Sequence, residues 1–313
     1  MSNISKVNGV NIWWEEFGNR ENPTILLIMG AYANCKAWPQ DFIDKLVDEN
    51  YHLIKFDNRD SGKSTWFGKR SPYENYLKFI PSILLKPIIS FFVFYFSKKI
   101  IDRKKVKSPY DLNDLTKDAV SLLEELKISK AHIVGASMGG LIAQIIGIKY
   151  PEKVKSLCLL ITTPGRNEES LSPPNTKFLK GMTESALMMI KGKQKEALIK
   201  TFTSSIGSKY EYAKEDILKN MKSFIEHGYN PYAYHSNAIN KSKSHSEELI
   251  NISCPTLIIN GSEDPLLPID HGKALNKLIP KSELFIMDGV GHEIPEDLIP
   301  EITEKMVKNF KKS

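Results

Sequence analysis

Ser137 stands between two glycines, in Gly135-Ala136-Ser137-Met138-Gly139. Before it, Ala131-His132-Ile133-Val134 is short, apolar and rich in β-branched residues, and reads as a strand. After it, Gly140-Leu141-Ile142-Ala143-Gln144-Ile145-Ile146-Gly147-Ile148 is apolar at helical spacing and stops at Pro151. A serine at such a strand–turn–helix junction has its hydroxyl lifted clear of the sheet edge. The flanking glycines suit a turn that brings strand and helix backbones too close for a Cβ. The helix N-terminus behind the serine directs unpaired N–H groups at any negative oxygen formed there. Nucleophilic attack is the chemistry this pattern serves.

A serine hydroxyl is a weak nucleophile until a base takes its proton. The base in turn needs a carboxylate to hold its tautomer and stabilise the imidazolium. In folds built on such an elbow the acid and then the histidine follow the serine, each on a loop after a later strand. The strand Thr256-Leu257-Ile258-Ile259-Asn260 runs into Gly261-Ser262-Glu263-Asp264-Pro265, and Asp264 is the candidate acid. Pro265 disfavours helical geometry at the residue before it, which holds Asp264 in a turn. Glu263, one residue away, is its rival.

The strand Glu283-Leu284-Phe285-Ile286-Met287 leads to Asp288-Gly289-Val290-Gly291-His292-Glu293. Of the seven histidines, only His292 ends a strand after the acid. His52 and His132 fall in expected strands, while His227, His235, His245 and His271 fall in helical or loop segments. A tetrahedral oxyanion needs two preplaced N–H donors. The amide of Met138 directly follows the nucleophile. The second donor is assigned to the Ala31 amide, in the loop Met29-Gly30-Ala31-Tyr32 after the strand Thr24-Ile25-Leu26-Leu27-Ile28.

The elements that must position these groups are visible as an alternation. Apolar runs at 24–29, 53–57, 131–135, 155–162, 256–260 and 283–287 alternate with helical stretches near 38–49, 111–127, 138–149, 269–279 and 298–311. This pattern predicts a mostly parallel sheet with helices on both faces. Ile4 to Phe17 should form an antiparallel start around Asn8-Gly9. A chain of 313 residues suits one large α/β domain with a cap. The expected division is a core of residues 1–164 and 251–313 interrupted by a helical cap at 165–250. Within the cap, Lys191 to Phe202 and Glu215 to His227 read as helices. Phe178, Met182, Met188 and Met189 can line a pocket, although such residues more often simply pack.

These residues resemble the α/β-hydrolase superfamily over nearly the full chain, and more closely its aclacinomycin-methylesterase-type branch. The matching stretches are Leu26-Leu27-Ile28-Met29-Gly30, Phe56-Asp57-Asn58-Arg59-Asp60-Ser61-Gly62-Lys63-Ser64, Val134-Gly135-Ala136-Ser137-Met138-Gly139-Gly140 and Gly289-Val290-Gly291-His292. The resemblance implies ester hydrolysis through an acyl-enzyme, with Ser137, Asp264 and His292 as the triad. Many relatives carry His-Gly where this chain has Met29-Gly30, but methionine is usual in the resembled branch. Dehalogenases and epoxide hydrolases of this fold place an aspartate at the elbow, so serine separates the chain from them. Hydrolysis of a carbon–carbon bond or a lactone uses the same triad and stays open. So do a ligand sensor with little turnover and an interaction protein.

Cys35, Cys158 and Cys254 are an odd number without metal-ligand spacing, which favours a reducing, cytoplasmic setting and no metal. The first residues lack the apolar core of a signal peptide. With no P-loop or dinucleotide fingerprint, no cofactor is expected. The formal charge of +6 is mild and gives no sign of nucleic-acid recognition.

An insertion at 66–108 departs from the alternation. Phe79 to Phe96 holds 13 apolar residues in 18, interrupted by Pro81, Lys86 and Pro87. Its longest charge-free run, Pro87 to Ser97, is 11 residues, short of the ~20 needed to span a bilayer. Lys98, Lys99, Arg103, Lys104, Lys105 and Lys107 follow, with only Asp102 opposing. One expectation is peripheral contact with anionic membrane at the pocket entrance. The favoured expectation is that the segment packs on its own cap or across a dimer interface.

Overall fold

The computed structural model of the chain describes residues 2–69, 74–98, 102–165 and 170–313. Lys99, named above, lies outside them, as do 70–73, 100–101 and 166–169 within the insertion and cap ranges.

Among the described residues eight strands form one sheet: β1 (Ser2–Val7), β2 (Val10–Phe17), β3 (Thr24–Ile28), β4 (His52–Phe56), β5 (Ala131–Ala136), β6 (Val154–Leu160), β7 (Thr256–Gly261) and β8 (Ser282–Met287). Their order is β1-β2-β4-β3-β5-β6-β7-β8. β1 and β2 pair antiparallel through a turn in which Asn8 and Gly9 both take positive φ, 46° and 78°, the geometry a two-residue hairpin demands. β2 also runs antiparallel to β4, and every later pair is parallel.

Among the described residues the helices are α1 (Gln40–Asp48), α2 (Glu74–Leu77), α3 (Ser82–Lys98), α4 (Leu112–Glu125), α5 (Met138–Lys149), α6 (Thr176–Ile190), α7 (Gln194–Ser205), α8 (Lys214–Gly228), α9 (His235–Lys241), α10 (Ile269–Leu278) and α11 (Ile299–Phe310). α4 opens on a capping box in which Asp111 accepts from the Asn113 and Asp114 amides. The five helical stretches expected in the core correspond to α1, α4, α5, α10 and α11 within a few residues at each end.

The strand period of two explains the layers. Leu26, Ile133, Leu159 and Ile258 face one cluster with Leu115, Leu122, Ile142 and Ile146 from α4 and α5. Their neighbours Ile25, Val134, Cys158 and Leu257 face the other, with Phe42, Ile43, Ile302, Met306 and Phe310 from α1 and α11. Because both faces are covered, the central strands read as continuous apolar runs and not as alternating ones. Each such side chain, fully buried, contributes about 1.5–3 kcal/mol.

Helices α6 to α9 stand outside the sheet, between β6 and β7. The expected helix Lys191 to Phe202 is displaced: Lys191 caps α6, Gly192 turns at φ 76°, and α7 starts only at Gln194. Residues 191–196 carry no apolar side chain, so no periodicity marks where α7 begins, and Gly192 supplies the positive φ of the turn. α3 packs against α6, which meets half of the favoured expectation for the insertion. Its opposite face is exposed. No helix among the described residues is long and apolar enough to cross a membrane.

Candidate active site

Ser137 is the N-cap of α5, held at φ 53° and ψ −116°, a region a non-glycine residue adopts only where its surroundings enforce it. Its amide donates to Leu160 O (2.9 Å), and its carbonyl accepts from Gly140 N (2.9 Å) and Thr162 Oγ1 (2.7 Å). The glycines do separate jobs. A Cβ on Gly135 would strike the Gly139 carbonyl, whereas a Cβ on Gly139 would strike the Ile28 carbonyl at the end of β3. The elbow is therefore packed against two neighbouring segments.

The structure brings Ser137, His292 and Asp264 into one hydrogen-bonded line. His292 Nδ1 lies 2.7 Å from Asp264 Oδ2, and His292 Nε2 lies 3.2 Å from Ser137 Oγ. A carboxylate accepts only, so it fixes the Nδ1–H tautomer and leaves Nε2 to accept from the hydroxyl. Asp264 is buried, and its Oδ1 accepts from the Leu266 and Leu267 amides (2.9 and 2.8 Å) in the turn that Pro265 opens. Glu263 points elsewhere: its carboxylate accepts from the amide and hydroxyl of Ser208, both 2.8 Å away. The His292 amide donates to Ser205 O at the end of α7 (2.7 Å), and a Cβ on Gly291 would collide with that carbonyl.

The other histidines are committed to the scaffold. His52 meets Thr24 (3.1 Å), His132 meets Ser156 (2.8 Å), His245 meets Gln144 (2.9 Å) and His271 meets Thr163 (2.9 Å).

Met138 opens α5, where first-turn amides have no acceptor inside the helix. Ala31 borders the same cleft as Ser137. Its loop approaches closely: a Cβ on Gly30 would lie 3.0 Å from that of Ser137. What holds this loop escaped the sequence reading. His235, fully buried on α9, accepts from the Tyr32 amide at Nδ1 (2.7 Å) and donates from Nε2 to Arg59 O (2.6 Å). Burial holds this ring below the usual histidine range, which keeps it neutral and able to do both. The two partners lie 203 positions apart, and no local spacing announces them.

The stretch Asp57 to Ser64 joins the sheet to helices α8 and α9. Asp57 accepts from Cys35 N (2.9 Å), Lys63 N (2.9 Å) and His227 Nε2 of α8 (2.7 Å). Asp60 accepts from Tyr110 Oη (2.7 Å) and Tyr234 N (3.1 Å). Arg59 forms a buried two-point pair with Asp118 (2.6 and 2.8 Å). Cys35, Asp57 and His227 are the one group of metal-ligand types gathered within 4.8 Å among the described residues. The three donors on Asp57 already satisfy its carboxylate, and none of the three residues borders the cleft.

The cleft over Ser137 has a volume of about 2270 Å³. Small-molecule pockets run to roughly 1,000 Å³, so this one admits a large ligand. Phe178, Met182 and Met189 line it, as do Val93 and Ser97 of α3, whereas Met188 is not part of the lining. Glu293 also borders it, buried beside His292. Its Oε1 accepts from Gly207 N (3.2 Å), and its Oε2 meets no partner among the described residues. Burial raises this carboxyl above the usual range, against the pull of the Gly207 and Gly291 amides.

Known proteins resemble the chain over this whole frame. Rhodomycin D methylesterase DnrP of Streptomyces peucetius is 23% identical, across 91% of this chain and 90% of that protein. The uncharacterized hydrolase YugF of Bacillus subtilis is 23% identical, across 97% and 95%. A solved esterase from Exiguobacterium antarcticum superposes with a TM-score of 0.71 at 19% identity, covering 99% of this chain and all of that one. A family model described as the alpha/beta hydrolase fold matches residues 23–297, and the chain belongs to that family.

Proposed function

We propose that the chain is a serine hydrolase that cleaves carboxylic esters through an acyl-enzyme. His292 takes the proton as Ser137 Oγ attacks the carbonyl carbon, and the amides of Met138 and Ala31 receive the oxyanion. Collapse of the tetrahedral intermediate breaks the bond to the alcohol oxygen, which leaves with the proton from His292. Water then attacks the acyl-enzyme with His292 again as base. Departure of Ser137 Oγ, reprotonated by His292, releases the acid.

The observation that carries this reading is the unbroken Asp264–His292–Ser137 line beneath the cleft. The similarity to methylesterases and esterases supports an ester as the bond cleaved. The apolar, roomy lining favours a large apolar ester over a small polar one. On this reading residues 165–250 act as a cap on the core of 1–164 and 251–313, with His235 steadying the donor loop through Tyr32. The three free thiols fit a reducing compartment. Hydrolysis of chromogenic esters of graded acyl length tests the reading. Ser137→Ala should lower kcat by at least ~10⁴-fold with the fold intact. Turnover at the wild-type rate in that variant overturns it.

A further inference from the structure

α3 has two apolar faces with different surroundings. At about 100° per residue, Leu84, Ile88, Phe91 and Tyr95 fall within an arc of about 60°. They are 58%, 55%, 62% and 42% exposed, and Ile83 and Phe92 extend the same surface. About a quarter turn away Leu85 is buried, and about half a turn away Val93 and Ser97 border the cleft that contains Ser137. A helix apolar all round is stable in water only where something covers it. Here the covering on one side is the cap, and the other side meets solvent.

The chain that follows this helix is basic. Past Lys98, and beyond residues that are not described, the chain makes a 3-10 turn, Arg103–Lys105, with all three cations and Lys107 exposed. Asp102, 3.8 Å from Lys105, is the one acidic residue between α3 and Lys107. Asn237 and Lys241 of α9 donate to Lys107 O (3.0 Å) and Ser108 O (2.8 Å), which ties the basic segment to the cap. Exposed aromatic and aliphatic side chains, followed in the chain by Arg103, Lys104, Lys105 and Lys107 against Asp102 alone, match an anionic lipid interface, in which rings enter the acyl boundary and cations meet headgroups. With 17 residues interrupted by Pro87, α3 suits lying on a bilayer and not crossing it.

We propose that the outer face of α3, with the Arg103–Lys107 segment, seats the protein on an anionic bilayer. Apolar esters then pass from the lipid along the inner face of the same helix to Ser137. The delivery step rests on the serine-hydrolase reading above; the docking step does not.

The test is co-sedimentation of the full chain with vesicles of phosphatidylcholine alone or mixed with phosphatidylglycerol, beside hydrolysis of a soluble short-chain ester. The wild type and Ser137→Ala should bind the anionic vesicles equally, and at least tenfold more tightly than neutral ones. The double variant Ile88→Ser/Phe91→Ser and the triple variant Arg103→Glu/Lys104→Glu/Lys105→Glu should each lose at least tenfold in partitioning. Both should cleave the soluble ester at the wild-type rate, which shows that they fold. Inactivity of the wild type on every ester with vesicle binding intact would overturn the hydrolase reading and delivery but leave docking standing. No preference for anionic vesicles, or a dimer that Ile88→Ser/Phe91→Ser dissociates, overturns the docking proposal.

Discussion

The Asp264–His292–Ser137 line and α3 border one cleft, yet they are built in opposite ways. Every polar atom that fixes the first has a partner inside the fold. Asp264 is held by two amides and an imidazole, and Ser137 by bonds on both sides of its peptide. α3 carries large apolar side chains into solvent on the side away from α6. A site that must hold geometry within a fraction of an ångström needs internal partners, because water and long side chains do not preorganise it. A surface that meets an outside phase needs the reverse, and the two requirements are separable by substitution.

The largest effect is expected at the site. Asp264→Asn keeps the volume but no longer fixes the Nδ1–H tautomer, so kcat should fall about 10⁴-fold with little change in Tm. A fall of tenfold or less would show that Glu263 or another acid does this work. Next comes the junction under the cap. Asp57→Ala leaves the Cys35, Lys63 and His227 donors without an acceptor in a buried place, and should cost about 4 kcal/mol in denaturant unfolding. A loss below 1 kcal/mol would mean that sheet and cap helices are held together by packing alone.

The third test sits within the sheet. Burial holds the His132 ring down at about 4, from an ordinary 6.5, with Lys155 adding to the shift. The unfolded chain therefore binds this proton first. Stability from the neutral ring is full above pH 6.5 and falls as pH drops toward 4, by about 3 kcal/mol in all. His132→Gln should flatten that acid limb in urea titrations at several pH values, and an unchanged slope would assign the acid sensitivity elsewhere. The smallest effect belongs to α3. Phe91→Ser should change stability by no more than about 0.5 kcal/mol, since its ring is mostly in water. A larger loss would show that the outer face packs against protein.

How far the sequence foretold this follows the same division. The sheet and the elbow were legible, because each depends on residues adjacent in the chain; Asp264 and His292, distant from Ser137 in the chain, could be picked only as residues that follow later strands. Periodicity marks a strand, and Pro265 marks the turn that holds Asp264. The His235–Tyr32 contact was not legible, since it joins segments 203 positions apart. The matched stretch at Asp57 to Ser64 was recognised as a pattern, but its work of binding His227, Tyr234 and Tyr110 appears only once the chain is folded. The start of α7 was not legible, because residues 191–196 offer no apolar spacing and Gly192 takes the turn. The two faces of α3 look identical in sequence, and only the placement of α6 distinguishes them.

The most direct measurement is peptide mapping after treatment with a fluorophosphonate. One label is expected, on the peptide that contains Ser137, and its rate of formation should collapse in His292→Ala while circular dichroism stays unchanged. A label on any other serine, or undiminished labelling without the imidazole, would contradict the account.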